Sequence, residues 1–535
     1  MRRKVRNLGL TIHSSSFPML YFRILGGRRS LRSLLVISSV LELGTSISSL
    51  RINTTIGTVH GFIDDATPKV AQFLGIPFAE PPVASLRFTA PTAKRPVASV
   101  NATKFGASCP QPRSSSQTVY TVDSPDLLIS GPTSEDCLTL NIWAPVTSHD
   151  ASRAEKLPVI VWIYGGNFQT GGGDTAYQIP SPWVERSQSH IVVGINYRGN
   201  IFGFPNAAGL DQRYLNVGLL DQRLALEFVR SNIAAFGGDL ARITLWGQSA
   251  GALSVDYYNF AYPKDPIVSG LIMDSGTALY PSVTLDPTHS NFTFVAAQLG
   301  CKDLSPTAEL ACMRNVSSIA IETLIQAYGD NGTQPVLSFN PITDNRTKFS
   351  NYTARYLARN FTMLPAIIGT NTNEGAALLP FDPNNPNGPN KTDVDDITLG
   401  DFLCPAVQSA VNRYAVSVPT YQYLYNGNFS NISPRPWEGA YHFSELPLIF
   451  GTSGIAHSAS TDLEVALSHL MQDLYLAFIS DPWRGLPAHD WDAYKPDGSA
   501  VQFSKNRSLV GKIESSKLAS ACNGIAPVSG AVPPS

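Results

Sequence analysis

The sequence lacks the patterns of a fibrous, repetitive or disordered protein. No internal repeat, heptad pattern or low-complexity segment stands out in its 535 residues, which argues against a solenoid, a coiled coil and a disordered tail. Charged residues are few, at 15%, whereas hydrophobic residues make up 43% of the chain. Mean hydropathy is near zero, and a chain of this length can bury a large core. A globular protein is therefore predicted.

Cysteine is also scarce, and its spacing does not indicate a metal site. None of the cysteines forms the close C-x-x-C pair that a zinc site needs, so no metal is expected. An even number of scattered cysteines favours disulfides in an oxidising compartment instead, although spacing alone leaves the pairing open. The six residues are Cys109, Cys137, Cys301, Cys312, Cys404 and Cys522.

The small formal net charge of −2 conceals a basic N-terminal segment and an acidic remainder. Residues 1–50 hold eight of the 39 Lys and Arg residues and one acid, Glu42, which leaves 31 bases against 40 acids in residues 51–535. A domain with this excess of acidic residues has little electrostatic attraction for the phosphate backbone of a nucleic acid. Nucleic-acid binding is therefore disfavoured.

The basic N-terminal segment is typical of a targeting signal. Three arginines within residues 28–32 precede the apolar residues 34–43, a stretch too short to span a bilayer. We predict a secretory signal over residues 1–50, with Met19 as a possible true start, and one secreted domain over residues 51–535 without stable membrane insertion. A membrane anchor or a disordered basic tail is the competing interpretation of the same segment.

Potential glycosylation sites point to the same secretory route. The chain contains twelve N-x-S/T sequons, none with proline in the middle position. The candidate asparagines are Asn53, Asn101, Asn291, Asn315, Asn331, Asn345, Asn351, Asn360, Asn390, Asn428, Asn431 and Asn506.

After residue 50, short apolar runs alternate with helical stretches. Strands of this kind, separated by helices, predict an α/β fold with a mainly parallel sheet covered by helices on both faces. Helical patterns run from Leu219 to a stop at Gly237 and Gly238, and over Asp462–Phe478. The Pro- and Asn-rich residues 380–390 are predicted to be a surface loop. The predicted buried strands are Val159–Ile163, Ile191–Ile195, Ile243–Trp246 and Ala366–Gly369.

A candidate nucleophile follows the third predicted strand. Residues 247–251 match G-x-S-x-G, the tight strand-to-helix turn that presents a serine hydroxyl above a parallel sheet. The turn leaves no room for side chains at Gly247 and Gly251. The pattern also occurs by chance, and its position directly after a buried strand is what favours Ser249.

A serine nucleophile needs a histidine as its base. His442, in G-A-Y-H-F-S-E-L-P, is the best candidate. His469 lies near the apolar stripe of a predicted helix and is expected to be structural, while His457 and His489 lie in loops without a nearby pattern.

The base in turn needs an acid, which comes between the serine and the histidine in this chain order. Glu374 follows a buried strand, and the carboxyl ends of strands are where such sheets place their chemistry. By position alone, Asp344 or Asp382 competes with it.

A glycine-rich loop, Y-G-G-N-F-Q-T-G-G-G at 164–173, follows the first predicted strand. Backbone N–H groups of such a loop, together with that of the residue after the serine, can stabilise an oxyanion. We predict donors from Gly166, Asn167 and Ala250. A phosphate cradle is the alternative, but neither G-K-S/T nor G-x-G-x-x-G accompanies the loop.

Together these motifs resemble the type-B carboxylesterase/lipase family, which includes cholinesterases and extracellular fungal lipases. The likeness extends from about residue 55 to Cys522. Further matching segments are G-T-V-H-G at 57–61, F-L-G-I-P-F-A-E-P-P at 73–82, S-E-D-C-L-T-L-N-I-W at 134–143, N-Y-R at 196–198, G-L-L-D-Q-R-L-A-L at 218–226 and F-G-G-D at 236–239.

The resemblance implies an α/β-hydrolase fold in a single large domain, and no cofactor. It also implies specific residues. The family's triad maps onto Ser249, Glu374 and His442, and its oxyanion donors onto Gly166, Asn167 and Ala250. Its disulfides map onto Cys109–Cys137, Cys301–Cys312 and Cys404–Cys522.

Three departures from the family pattern bear on specificity. Gln248 replaces the acid often found before the serine, and Asn167 replaces the third glycine of G-G-G. Residues 120–136 contain no tryptophan where cholinesterases place a cation-stacking ring, so choline esters are not expected as substrates.

The expected function is hydrolysis of soluble short- to medium-chain carboxylic esters through an acyl-enzyme. The loop between Cys109 and Cys137, called the lid loop below, corresponds to the family's lid. Its one apolar cluster is residues 127–129, and four prolines leave little room for an amphipathic helix. An interfacial triacylglycerol lipase is the alternative within the family, and a non-catalytic adhesion protein the alternative outside enzymes.

Overall fold

The computed structural model describes residues 50–148, 155–281, 286–333, 336–506 and 508–525. The predicted signal lies outside these residues, apart from Leu50, and stays a prediction. The described strands are β1 Arg51–Thr54, β2 Gly57–His60, β3 Phe62–Asp64, β4 Thr67–Pro77, β5 Ser99–Asn101, β6 Thr139–Pro145, β7 Leu157–Ile163, β8 Ile191–Ile195, β9 Gly238–Gln248, β10 Gly270–Asp274, β11 Ala366–Asn371, β12 Thr420–Tyr425, β13 Ser499–Lys505 and β14 Ser508–Glu514.

Eleven of the described strands form one sheet, in the order β3-β4-β6-β8-β7-β9-β10-β11-β12-β13-β14. Neighbours from β8 through β7 and β9 to β13 pair in parallel. Pairing is antiparallel at both edges, between β3, β4, β6 and β8 and between β13 and β14. Strands β1, β2 and β5 form a separate small sheet. The predicted, mainly parallel α/β sheet is confirmed, and the antiparallel edges add to it.

The four predicted strands all occur and form the centre of the sheet. Ile191–Ile195 coincides with β8, and the other three lie within β7, β9 and β11. Every residue of β7, β8 and β11 is buried. An uninterrupted apolar run suits a strand that is covered on both faces, which is why these segments could be recognised.

Helices flank this sheet, and α5 packs against β7, β9 and β10. Helix α4 ends in a 3₁₀ turn at Gly237, whose φ of 91° is left-handed, as the glycine pair predicted. Thr461 and Glu464 form a capping box that starts α13 where it was predicted. The described helices are α1 Val119–Val122, α2 Ser181–Ser187, α3 Asn200–Gly203, α4 Val217–Asn232, α5 Ala250–Ala261, α6 Ser290–Gln298, α7 Pro306–Met313, α8 Ser318–Asp330, α9 Tyr352–Leu357, α10 Lys391–Ile397, α11 Cys404–Ala415, α12 Leu446–Phe450, α13 Asp462–Ser480 and α14 Ser515–Ser520.

The structure contains three disulfides, and all six cysteines take part in them. The pairs are Cys109–Cys137, Cys301–Cys312 and Cys404–Cys522, the pairing that the family resemblance implies. The first bond closes the lid loop. The third attaches Cys522, two residues after the end of α14, to Cys404 at the start of α11.

The sequon asparagines differ in exposure, and one of them is buried. Ten of the twelve are exposed, and Asn291 is half-buried. Asn431 is buried, and its side-chain amide donates a hydrogen bond to the Ser453 carbonyl oxygen at 2.7 Å. All twelve sequons stay predictions.

Candidate active site

Ser249 lies at the turn between β9 and α5. Its backbone has φ 56° and ψ −125°, a strained conformation for a residue other than glycine. A Cβ at Gly247 would lie 2.4 Å from the backbone of Gly251, and one at Gly251 would lie 2.0 Å from the Ile163 carbonyl oxygen. The turn therefore requires both glycines, as G-x-S-x-G predicts.

His442 and Glu374 form a direct hydrogen bond beside this turn. His442 Nδ1 lies 2.7 Å from Glu374 Oε2, and both side chains are buried. Glu374 lies three residues after the end of β11, whereas His442 lies in the loop between β12 and α12. The Phe402 ring packs against the imidazole with a centroid distance of 4.7 Å. The ring orientation of His442 is thus fixed from two sides.

The carboxylate of Glu374 has two further donors. Ser275 Oγ and the Asn371 backbone N–H each donate to Oε1 at 2.7 Å. Ser275 directly follows β10, the strand next to β11, so two adjacent strand ends supply these contacts. With His442, the carboxylate of Glu374 therefore has three hydrogen-bond partners.

Two other buried carboxyl groups lie close to Glu374. Burial raises the pKa of Glu445 well above its usual value, and the carboxylates of Asp274 and Glu374 raise it further. Burial likewise raises the pKa of Asp274 to about 7. Glu445 Oε1 has no hydrogen-bond partner among the described residues.

Gln248 contacts the other nitrogen of His442. Its side-chain Nε2 lies 3.1 Å from His442 Nε2. Within the described part of the chain, Ser249 Oγ forms no hydrogen bond, although Ser249 is the next residue along. Glu374 and His442 are thus in direct contact. Gln248, the residue before Ser249, connects His442 to the serine turn.

The glycine-rich loop after β7 lies against the serine turn. A Cβ at Gly165 would lie 2.9 Å from Ser249 Cβ, so the loop approaches the serine closely. Gly166 and Asn167 have left-handed φ values of 109° and 55°. Neither their N–H groups nor that of Ala250, the first residue of α5, has a partner in the described residues. The loop can therefore offer donors to an oxyanion.

The lid loop contacts His442. The Tyr120 hydroxyl donates to the backbone carbonyl oxygen of His442 at 2.7 Å. The Tyr120 ring also packs edge-on against Tyr441 and Phe443, on either side of His442. The lid loop forms only the four-residue helix α1 and a 3₁₀ turn at Pro125–Leu127, as its prolines predicted.

The competing acids lie elsewhere in the structure. The carboxylate of Asp344 accepts hydrogen bonds from the backbone N–H groups of residues 346–348, so it stabilises a turn. Asp382 is exposed and accepts from the backbone of Asn384. Neither carboxylate contacts a histidine.

The competing bases are placed away from the site as well. His457, His469 and His489 are exposed. Of the four candidate histidines, only His442 is buried against a carboxylate.

Several residues that connect the site were not found by sequence reasoning. Asn371 Nδ2 donates to the Tyr441 carbonyl oxygen at 2.8 Å, and Asn373 N–H donates to the Ala440 carbonyl oxygen at 3.0 Å. These bonds join the segment that carries Glu374 to the segment that carries His442. Both asparagines lie in the G-T-N-T-N-E-G motif, but nothing local indicates a partner some 70 residues away.

Two searches of the described residues gave no candidate. Three or more His, Cys, Asp or Glu side chains never converge there as a metal site would require. Of the helices within those residues, none combines the length and the apolar character needed to cross a bilayer.

The Carboxylesterase family profile matches residues 48–401 of the chain. The chlorogenic acid esterase of Aspergillus niger is 47% identical over 443 residues, 82% of this chain and 84% of that protein. Secreted lipase 5 of Gibberella zeae is 41% identical over 90% of this chain and 96% of that protein. Acetylcholinesterase of Bungarus fasciatus is 29% identical over 77% of this chain and 75% of that protein. The chain therefore belongs to the carboxylesterase family and is a carboxylic ester hydrolase.

Proposed function

We propose that Ser249, His442 and Glu374 hydrolyse carboxylic esters through an acyl-enzyme. The observation that carries the proposal is the 2.7 Å hydrogen bond between Glu374 and His442 beside the strained turn of Ser249. Ser249 Oγ attacks the ester carbonyl carbon while His442 Nε2 takes its proton, and Glu374 stabilises the imidazolium. The proton then passes to the leaving alkoxide as the ester C–O bond breaks.

Water completes the cycle in the same site. His442 takes a proton from the water as its oxygen attacks the acyl carbon, and the proton passes to Ser249 Oγ as the acid leaves. In both steps, the N–H groups of Gly166, Asn167 and Ala250 stabilise the negative oxygen of the tetrahedral intermediate. Three observations support this role: the loop that carries Gly166 and Asn167 approaches Ser249 at Gly165, Ala250 directly follows the serine, and none of the three N–H groups has a partner in the described residues.

Replacing the nucleophile tests this assignment directly. We expect Ser249→Ala to fold and to lose nearly all hydrolysis, with a residual effect of order 10³-fold over water from binding and the oxyanion donors. A fluorophosphonate probe should label Ser249 in the native enzyme and leave the variant unlabelled. His469→Gln is the matched control and should keep its turnover. Full activity in Ser249→Ala would contradict the triad and favour a different nucleophile.

The attachment of the lid loop supports soluble esters as the substrate class. Besides the Tyr120 bond, the Gln117 carbonyl oxygen accepts from the Phe381 N–H at 2.9 Å, and Asp123 pairs with Arg435 at 2.7 Å. In its apolar cluster, Leu127 is buried and Leu128 is exposed. A loop bound in this way presents no amphipathic helix to an oil surface. We propose that the enzyme acts on dissolved short- to medium-chain esters.

The alternative is an interfacial lipase, since one relative is named a secreted lipase. Esters of graded acyl length, assayed below and above their solubility, distinguish the two. We expect ordinary saturation with butyrate esters and no jump in rate on emulsions. A sharp rise on emulsified long-chain triglyceride, with little activity on butyrate, would establish the lipase instead. Chlorogenic acid belongs in the same assay, because another relative is named for it.

We further propose that the protein is secreted after removal of a signal within residues 1–50. The support is the basic and apolar N-terminal pattern, the exposed sequons and the name of a secreted relative. N-terminal sequencing of the protein recovered from the medium should begin near residues 48–51. Retention of the whole segment in a membrane fraction would favour the anchor.

A further inference from the structure

We propose that Gln248 is a positioning residue of the reaction, whose side-chain amide holds His442 as the neutral base and competes with Ser249 for its Nε2 atom. The inference rests on the proposed function of Ser249 and His442. It assigns a role to the position at which the chain departs from the acid often found before the serine.

The direction of this hydrogen bond follows from the groups around the ring. The Glu374 carboxylate can only accept, so His442 Nδ1 carries the proton in their 2.7 Å bond. In the neutral imidazole, Nε2 then bears a lone pair. The Gln248 amide nitrogen, 3.1 Å away, must donate to it. Gln248 and His442 are only 2% and 3% exposed, so water has little access to replace this donor.

The glycine-rich loop leaves space for this amide. A Cβ at Gly165 would lie 2.9 Å from Gln248 Oε1 and 2.8 Å from its backbone oxygen. The absence of a side chain at Gly165 therefore accommodates both the serine and the amide of the residue before it. The position of the Gln248 amide therefore depends on two separate segments of the chain, the glycine-rich loop and the serine turn.

The bond stabilises one protonation state of the base over the other. A donor to the lone pair of Nε2 favours neutral His442, and a protonated Nε2 would lose that bond. When Ser249 Oγ transfers its proton to Nε2, the hydrogen bond from the Gln248 amide N–H must break. The amide can then turn so that its oxygen accepts from the imidazolium. A carboxylate at residue 248 would favour the imidazolium throughout. The amide thus keeps the base available at lower pH than a carboxylate would.

The other titratable groups near His442 do not mask the effect of Gln248 on the protonation of the ring. Glu374 faces Nδ1, Tyr120 bonds the backbone oxygen, and Glu445 lies in the same loop. Tyr441 is the preceding residue, and the Asp401 carboxyl, next to Phe402, is directed to the Tyr280 hydroxyl at 3.4 Å. Burial raises the pKa of Glu445 and Asp401, and that of the Tyr441 hydroxyl. Among the described residues, Glu374 is therefore the carboxyl group that bonds the ring.

The pH dependence of kcat/KM for a soluble butyrate ester tests the proposal, with fluorophosphonate labelling of Ser249 as a second readout. We expect Gln248→Glu to move the acid limb of both profiles upward by about one pH unit, an about tenfold loss on that limb. Gln248→Met, similar in length but without hydrogen-bonding atoms, should move it upward by less. Far-ultraviolet circular dichroism establishes that each variant is folded, and Gln248→Met provides the test if the glutamate variant is not.

The matched control is Gln472→Glu. Gln472 is another buried glutamine, but its side-chain oxygen accepts from Arg186 at 2.8 Å and the residue forms no hydrogen bond with His442 among the described residues. It should keep the native acid limb. Unchanged limbs in both Gln248 variants, or an equal shift in Gln472→Glu, would overturn the proposal. If Ser249→Ala still hydrolysed esters and bound the probe, the proposed triad would fail instead, which separates the two outcomes.

Discussion

Single side chains distinguish the buried carboxyl groups of the site. Glu374 has three donors, whereas Glu445 keeps one oxygen without a partner in the described residues. Among these donors, Ser275 Oγ is the one that substitution can remove without touching the reacting atoms. Its contribution to catalysis can therefore be measured separately.

We expect Ser275→Ala to lower kcat by about tenfold or more. A hydrogen bond to a charged group contributes about 1.5–3 kcal/mol, and its loss weakens the carboxylate that stabilises the imidazolium. Steady-state kinetics on a butyrate ester checks the value. Ser468→Ala removes a buried serine hydroxyl that bonds the Leu448 carbonyl oxygen, and should leave kcat nearly unchanged. Equal losses in the two variants would indicate a general effect of destabilisation.

At this scale the sequence predicted the chemistry but not the contacts. Ser249, Glu374 and His442 could be proposed because each follows a strand or lies in a motif. The bond from Ser275 to Glu374 spans 99 residues, and that from Gln248 to His442 spans 194. Spacing carries no information on such pairs, because they depend on how distant strand ends meet in the sheet.

Helix α8 holds the first half of the lid loop with one row of side chains. Gln326 Oε1 and Asp330 Oδ1 accept from the backbone N–H groups of Arg113 and Ser115 at 3.4 and 3.0 Å. Glu322 lies one turn before Gln326, so the three side chains share a face of the helix. The backbone of the lid loop is therefore bonded to side chains of α8.

The pH dependence of stability should report on this row. Burial, and next the charge of Glu135, raises the pKa of Glu322 from its ordinary 4.5 to about 7. The folded chain therefore holds a proton that the unfolded chain releases, so the stability from this group falls as pH rises from about 4.5 to about 7. Glu322→Gln should raise Tm relative to the native enzyme at pH 8 more than at pH 5. Thermal unfolding at both pH values measures the difference.

The exposed Glu514 offers a matched control for this measurement. Glu514→Gln should change Tm similarly at both pH values. A Glu322→Gln variant that behaved in the same way would mean that Glu322 does not bind its proton more tightly in the folded chain.

Elements with uninterrupted apolar runs were predictable, and those at the sheet edge were not. Strands β7, β8 and β11 are buried throughout, whereas β3 is partly or fully exposed at each of its residues. An edge strand is specified by its partner rather than by its own pattern. For that reason β3 was not predicted individually. The sequence analysis also did not single out β6, β10 and β12, although all three are buried throughout.

The disulfides constrain the whole molecule unequally. Cys301 and Cys312 are 11 residues apart, whereas Cys404 and Cys522 are 118 apart. The chain-entropy model gives about 3 kcal/mol for the short loop and about 5 kcal/mol for the long one. Replacing Cys404 and Cys522 with serine should therefore lower Tm more than replacing Cys301 and Cys312. A larger loss from the short loop would show that native contacts, rather than chain entropy, determine the effect.

Glycan mapping should reflect burial in the folded chain. Asn428 and Asn431 lie three residues apart, but only Asn428 is exposed. Because acceptor nitrogens must be accessible, we expect glycan at Asn428 in preference to Asn431. Peptide mapping with and without enzymatic deglycosylation distinguishes the two, and full occupancy at Asn431 would mean that modification precedes folding of this loop.

The predicted surface loop at 380–390 lies between Glu374 and His442, and none of the three disulfides crosses it. Residues 386 and 387 within it are exposed. A protease site introduced there would divide the enzyme into one fragment with the nucleophile and the acid and another with the base. Only the pairing of β11 with β12 and other non-covalent contacts would join them. The nicked enzyme should remain active in native buffer, separate into two pieces on a non-reducing denaturing gel, and recover activity only by fragment complementation, at a rate that rises with the concentration of both pieces.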